Sequence, residues 1–421
     1  MNSNFDITII GSGILSAKIA LVAAKQGLET CLLSENDFGN IGTFNKIDIV
    51  DESNVIYENS ANNFIPIDLI NIDLKTSTVT KYYKQFLSKI TKEKFKNGDN
   101  LAEIEPQLKS TDVEYATITK AYKYDYARVC IDTIITAKKY ATQAFNYINI
   151  KSIDEQVIDF TCQDIDYKIT TKLIIDLRKT NKQIENNIFT IPRYKLELTN
   201  SMLLTDKDNK IQIIPYFSVV IVKSDRIINN SKTLELINNI FSKQILEKEI
   251  IDSWNEYADN SEILINGNVL YASEQNSQSK FGIINKVFSF VSKKLNIENP
   301  KEFEPELHNN FTFEKRKTVI YEQVDKTFRE VQQTNISPNE FTKLYYRYGS
   351  KFDIVIEKAY DFYADRNNRE DAWLMAQIWY AKEYEMANTT YDFIFRRANT
   401  YFSNYYDNDL RNKIDEYFLK L

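Results

Sequence analysis

Asp6-Ile7-Thr8-Ile9-Ile10-Gly11-Ser12-Gly13-Ile14-Leu15-Ser16-Ala17-Lys18-Ile19-Ala20 sets an apolar strand against a tight glycine turn that opens a helix. That order places a dinucleotide pyrophosphate on a helix amino terminus, where unpaired N–H groups and the helix dipole favour an anion. Gly11 permits the turn and Gly13 lets the backbone approach a pyrophosphate. The helix runs from about Ile14 to Gln26 and stops at Gly27, a C′ glycine. A second strand follows, Glu29 to Leu33. Ser16 stands where the third glycine of this fingerprint keeps helix and strand close, and Ser34 where an acid binds a ribose. Glu35 and Asp37 come one and three residues late, and strand alternation turns Glu35 the wrong way unless the strand end is distorted. Gly11, Gly13, Ser16, Ser34 and Glu35 are the candidate cofactor-binding residues.

A chain of 421 residues holds two or three domains and buries a substantial core. The net charge of -6 and sequence pI near 5.3 argue against a nucleic-acid surface, which needs a concentrated excess of Lys and Arg. The densest cationic run, Lys89 to Lys96, reads as a solvated helix face. Cys31, Cys130 and Cys162 are too far apart to suggest a disulfide framework or a thiolate metal site, and they fit a reducing compartment. Phe5 to Ile10 is too short for a signal-peptide core or a membrane span, and Ile213 to Val222 reads as a strand. A cytoplasmic protein is expected. A peripheral contact with the inner face of a membrane, and the oligomeric state, stay open.

Phe38 to Leu69 is poor in regular pattern and suggests an irregular crossing segment of the kind that covers cofactors. Helical spacing follows over Lys75 to Lys94 and over Tyr126 to Tyr147, the latter running into a strand at Tyr147 to Ile150. Strands alternate over Val157 to Ile175 and dominate from Asn187 to about Asn266, where Lys207-Asp208-Asn209 turns between Ser201-to-Thr205 and Ile211-to-Ile214. Beyond Asn299-Pro300 the pattern is helical, with Phe341 to Tyr348, Lys351 to Ala364, Ala372 to Ala387 and Tyr391 to Tyr401 as candidate helices.

In this order the pieces resemble the FAD-dependent glycerol-3-phosphate dehydrogenases, flavoproteins that pass electrons from glycerol 3-phosphate to quinone. Four segments carry the likeness: the run through Gly11, Gly13, Ala20, Ala24, Gly27 and Leu28 to Asp37-Phe38; Tyr124-Asp125-Tyr126-Ala127-Arg128-Val129; Leu344-Tyr345-Tyr346-Arg347-Tyr348-Gly349-Ser350; and the signature Tyr380 to Arg397. The resemblance implies a Rossmann-like α/β FAD-binding domain of the glutathione-reductase type, an inserted β-rich substrate domain and a helical carboxy-terminal domain. The expected division is 1–186 for the first part of the FAD domain with an irregular cap over 38–110, 187–266 for the substrate domain, 267–299 for the return, and 300–421 for the helical domain.

The departures from that family fall where chemistry occurs. Its histidine-glycine-glycine-leucine-arginine-tyrosine motif has no counterpart in Gly39 through Leu69. Its flavin-contacting alanine-threonine-glycine turn becomes Asp176-Leu177-Arg178, which puts side chains where glycine lets a cofactor lie. Its glycine-threonine-threonine-aspartate segment becomes Val222-Lys223-Ser224-Asp225, and its glycine-glycine-lysine segment becomes Gln278-Ser279-Lys280. A substrate phosphate needs cations. Lys280 supplies one as the candidate substrate-binding residue, with Arg178 or Arg193 as a second if turned inward.

The single histidine, His308, lies at the entrance to the helical domain and reads as a surface or packing residue, which leaves the catalytic residues unknown. Asp125 and Arg128 read as a helix-start pair, and Arg396 and Arg397 as ties between the helical domain and its neighbours. The late aromatic stripe, including Tyr345, Tyr346, Tyr380, Tyr384, Phe393 and Phe395, reads as core. Two functions follow. One is a flavoenzyme oxidising glycerol 3-phosphate or a similar alcohol; the other is a degenerate relative that keeps the scaffold, has lost flavin and substrate contacts, and binds or regulates a partner.

Overall fold

The computed structural model describes residues 3–40, 47–51, 64–73, 94–97, 103, 105–109, 115–178, 182–206, 209–225, 228–259, 263–273, 280–298, 336–365, 371–398, 400 and 407–421. In chain order the first elements are β1 (Asn4–Ile10), α1 (Ile14–Lys25), β2 (Thr30–Leu33), β3 (Ile47–Asp51), β4 (Phe64–Asp73), β5 (Lys94–Asn97) and β6 (Tyr115–Asp125). Next come α2 (Tyr126–Lys139), β7 (Gln143–Phe145), β8 (Asn149–Ile153), β9 (Val157–Cys162), β10 (Ile165–Asp176), β11 (Lys182–Pro192), β12 (Ser201–Asp206), β13 (Asn209–Tyr216) and β14 (Val219–Asp225). The remainder is α3 (Asn230–Ile240), β15 (Asp252–Asp259), β16 (Leu264–Asn266), β17 (Val269–Tyr271), α4 (Lys280–Leu295), α5 (Pro338–Tyr348), α6 (Phe352–Ala364), α7 (Ala372–Glu383) and α8 (Asn408–Lys420).

The strands form two sheets. In the first, β17, β10, β1, β2 and β7 run parallel in that order, β16 pairs antiparallel on one edge, and the β8–β9 hairpin extends β10. Ile7, Ile9 and Ile10 of β1 are fully buried, as a central parallel strand covered on both faces requires. Helix α1 is buried over Ile14 to Ala24 because small residues such as Ala17, Ala20 and Ala23 let it sit among β1, α2 and α4 in one core with Ile134, Val287 and Val291. It stops where the sequence indicates: Gly27 takes φ +80, and Leu28 N–H returns to the Ala23 carbonyl at 3.2 Å.

The second sheet is antiparallel apart from β12 against β4 and is ordered β15-β11-β14-β13-β12-β4-β6-β3, with β5 also on β6. It corrects the reading of 38–69 as irregular: β3 and β4 lie there and pair in the same sheet as the strands after residue 182. The expected helix over Lys75 to Lys94 falls outside the described residues except Lys94, which begins β5. The 201–214 hairpin is present with Met202 opposite Ile213.

In the carboxy-terminal segment α5, α6 and α7 follow the sequence expectation. The segment expected as a helix from Tyr391 is instead one short helical turn, Thr390–Asp392, that widens into a π-helical turn over Phe393–Arg397. Helix α8, which the periodicity did not indicate, starts with the Asp407 carboxylate accepting the Leu410 N–H at 2.8 Å.

Gly39 carries the tightest constraint near the glycine turn. Its φ is +81, and a Cβ there would lie 2.9 Å from both the Cα and the Cβ of Ala127 in α2. At Gly27, where φ is also positive, a Cβ would meet nothing within 4 Å. Gly39→Ala is therefore expected to cost about 3 kcal/mol, backbone strain plus overpacking, against about 1 kcal/mol for Gly27→Ala, read from urea midpoints of the two variants.

Candidate functional site

The turn between β1 and α1 is tied down on all sides. Gly11 N–H donates to the Leu33 carbonyl at 2.9 Å, which fixes the turn to β2. Gly13 is extended at φ -102 and ψ -170 and offers no side-chain cap to α1. The hydroxyl of Tyr126, the first residue of α2, accepts the Ile14 N–H at 3.0 Å instead. Ser16 is buried and its hydroxyl bends back onto the Gly13 carbonyl at 2.7 Å, so it closes the turn in place of a third glycine. Ser12 is held by Gly39 N–H on its carbonyl at 2.7 Å and gives its own hydroxyl to the Asn40 carbonyl at 2.8 Å.

At the end of β2, Ser34 donates to the Asn36 carbonyl at 2.6 Å and accepts the Asn36 N–H at 3.2 Å, a local turn that uses both functions of its hydroxyl. Glu35 is exposed and meets Arg178 Nη1 at 3.0 Å. Arg178 also forks onto Asp176, with Nε to Oδ1 at 3.0 Å and Nη2 to Oδ2 at 2.8 Å. Since β1 lies between β10 and β2, the Arg178–Glu35 pair crosses the carboxyl end of β1. Its two carboxylates hold the Arg178 guanidinium well above the usual arginine range. Gly11, Gly13, Ser16, Ser34 and Glu35 thus lie at the carboxyl ends of β1 and β2, the position at which an open parallel sheet forms its ligand crevice. Lys280 opens α4, and its side chain falls outside the described residues, as do His308 and the Gln278-Ser279 pair.

Asp37 is absent from that crevice's polar rim because it is fully buried and already paired. Arg397 Nη1 meets its Oδ2 at 2.7 Å, Arg397 Nη2 its Oδ1 at 2.8 Å, Arg396 Nε its Oδ2 at 2.5 Å, and Asn146 Nδ2 its Oδ1 at 3.1 Å. Burial opposes the charge on Asp37, but the two guanidinium groups outweigh it and hold the carboxyl below the usual aspartate range. Arg396 continues to Asp392 at 2.6 Å, and Arg397 donates twice to the Glu385 carbonyl. Arg128 joins the same region through Glu385 Oε1 at 2.7 Å, while Asp125 Oδ1 caps α2 on Arg128 N–H at 3.0 Å. The arginine pair therefore ties the helical domain to the sheet, as its placement suggested.

Of the other departures, Lys223 on β14 is paired with Glu256 at 2.7 Å, and Ser224 donates to the carbonyls of Asn187 and Ile228. Both are structural. Sequence reasoning missed Tyr126, whose signal was its place beside the Asp125 cap rather than any motif, and missed the cation Lys123. Among the described residues no group of three or more His, Cys, Asp or Glu is placed to hold a metal, and no helix is long and apolar enough to cross a membrane.

Residues 320–411 match the family model described as the C-terminal domain of alpha-glycerophosphate oxidase. Among solved structures, the glycerol-3-phosphate dehydrogenase from Bacillus halodurans complexed with FAD superposes with a TM-score of 0.80 at 19% identity, covering 100% of this chain and 90% of that one. The FAD-bound L-alpha-glycerophosphate oxidase from Mycoplasma pneumoniae gives a TM-score of 0.50 at 10% identity over 72% of this chain and 97% of its own. No curated protein sequence matches. These findings bear out the resemblance drawn from the sequence, as a fold over the whole chain and as a family match over its carboxy-terminal segment.

Removing one partner of a buried ion pair leaves the other charged and uncompensated. Arg397→Met is expected to lower the unfolding free energy by about 3–5 kcal/mol. Because the folded pKa of Asp37 is depressed, its contribution is complete above about pH 4 and is lost as pH falls through the lowered value. Urea midpoints measured from pH 7 to pH 3 should therefore fall more steeply for wild type than for Asp37→Asn.

Proposed function

We propose that this chain is a FAD-dependent oxidoreductase of the glycerol-3-phosphate dehydrogenase and oxidase type, acting on glycerol 3-phosphate or a similar small phosphorylated alcohol. The observation that carries the reading is the whole-chain likeness to a glycerol-3-phosphate dehydrogenase solved with FAD, joined to a carboxy-terminal segment that matches the glycerophosphate oxidase family.

The crevice fits a dinucleotide in kind. Gly13 adds no side chain to the start of α1, and the Ile14 N–H is paired with a neutral hydroxyl, a partner that a phosphate oxygen replaces one for one. Gly11, Gly13 and Ser16 would shape the turn against the pyrophosphate, with Ser34 and Glu35 nearest the ribose. FAD, when bound, supplies the acceptor for the two electrons removed from the alcohol carbon. The chain's own part is to hold the cofactor and substrate and keep water out. Electron transfer onward to quinone and a peripheral place on the inner face of a membrane belong to the same proposal.

A second reading, the degenerate relative that acts by binding or regulating a partner, is favoured by the Arg178–Glu35 pair, since Arg178 draws the candidate ribose acid across the end of β1. Colour separates the two. Purified protein should be yellow, and its flavin band should bleach anaerobically on adding glycerol 3-phosphate. Colourless protein that takes up no added FAD would remove the first reading. Because an exposed ion pair contributes at most about 1 kcal/mol, Arg178→Gly made together with Asp176→Asn, so that no buried acid is left unpaired, should tighten FAD binding roughly fivefold, followed by quenching of flavin fluorescence.

A further inference from the structure

The tip of the hairpin between β13 and β14 gathers positive charge that no carboxylate among the described residues answers. Lys123 on β6 donates to the Pro215 carbonyl at 3.1 Å and lies 5.6 Å from the centre of the Tyr216 ring. Arg193, just beyond β11, gives Nη1 to the Phe217 carbonyl and Nη2 to the Leu198 carbonyl, each at 3.0 Å. Lys343 of α5 reaches the Phe217 ring from the helical domain, 5.7 Å from its centre. Among the described residues, every polar partner of Lys123 and Arg193 is a neutral carbonyl.

The acid on the same face of β6, Asp125, is already engaged, its Oδ1 by Arg128 N–H and its Oδ2 by the Tyr216 hydroxyl at 3.4 Å. Burial and the neighbouring Arg193 together push the Lys123 ammonium down to about 8. Two cations held within reach of each other without a counter-charge destabilise the fold unless an anion joins them. Carbonyl contacts use only some of their protons, so Arg193 Nε and the remaining Lys123 protons are left to meet a ligand.

We propose that Lys123 and Arg193 seat the phosphate of a small phosphate monoester, the ammonium as a point charge and the guanidinium as an oriented donor. The seat lies on the strand that leads into α2, three residues before the tyrosine that meets the glycine turn, so it belongs to the junction of the two sheets. It rests on the function proposed above for the identity of the monoester, and on local charge alone for the existence of an anion site. It also relocates the phosphate contact from Lys280 and Arg178: the latter is neutralised by Asp176 and Glu35.

Calorimetric titration of the whole protein as purified, with inorganic phosphate, glycerol 3-phosphate and glycerol, tests it. Wild type should bind the two phosphates and not glycerol, and Lys123→Gln should weaken phosphate binding about tenfold without lowering the melting temperature. An anion beside Lys123 favours its charged form, so near pH 8 binding should take up protons, seen as heats that depend on the buffer, and Lys123→Gln should abolish that uptake. Arg193→Gln should weaken binding further, and if losing its two carbonyl contacts unfolds the chain, Lys123→Gln carries the test. Unchanged affinity in a folded Lys123→Gln, or glycerol binding as tightly as its phosphate ester, would overturn the proposal. The titration needs no flavin: colourless protein that binds phosphate through Lys123 would sink the oxidoreductase reading alone, and yellow protein indifferent to Lys123 would sink the seat alone.

Discussion

A carboxylate with no access to water organises this molecule. Asp37 follows the second strand of the parallel sheet by a few residues, yet its charge is balanced by arginines near the other end of the chain. Isolated in a low-dielectric interior that charge would be forbidding, and so would either guanidinium. Their pairing fixes the helical domain against the loop that covers the glycine turn. Phe38, Gly39 and Asn40 then sit where Gly39 can press on α2 and hold Ser12. The geometry of the crevice is thus inherited from an ion pair lying behind it.

The same logic of filled valences runs through the crevice itself. Tyr126 satisfies an amide that an anion-binding helix start would leave to its ligand, Ser16 satisfies the Gly13 carbonyl, and Arg178 satisfies two acids. The Tyr126 hydroxyl and the exposed Glu35 end of the Arg178 pair are small and replaceable, since a lone hydroxyl or an exposed ion pair contributes about 1 kcal/mol or less, whereas the fork of Arg178 onto buried Asp176 is held more firmly.

Much of the sheet domain was legible in the sequence because its signals are local. The run from Asp6 to Ala20 carries apolar strand, glycine turn and helix in one short window, and Gly27 marks its own left-handed backbone. Arg396 and Arg397 were readable as ties because two adjacent arginines inside an aromatic helix need buried partners. What escaped was set by distant pairing. Strands β3 and β4 lack a clean alternation, and only β6 and β12, brought in from later in the chain, give them edges to join. Nothing in the sequence around Lys123 sets it apart, because Arg193 and the Pro215 carbonyl come beside it only in the fold. No window of sequence contains that coincidence.

The order in which these contacts become available has a bearing on synthesis. Asp37 leaves the ribosome 359 residues ahead of Arg396, and β17, which completes the parallel sheet beside β10, emerges long after β1. Until Arg396 emerges the nascent chain carries an unneutralised acid in a half-built sheet, with an open edge beside it. Final closure must then wait until Arg396 has emerged and is slowed by its long-range contacts, and truncated chains ending before Arg396 are natural targets for chaperones and proteases.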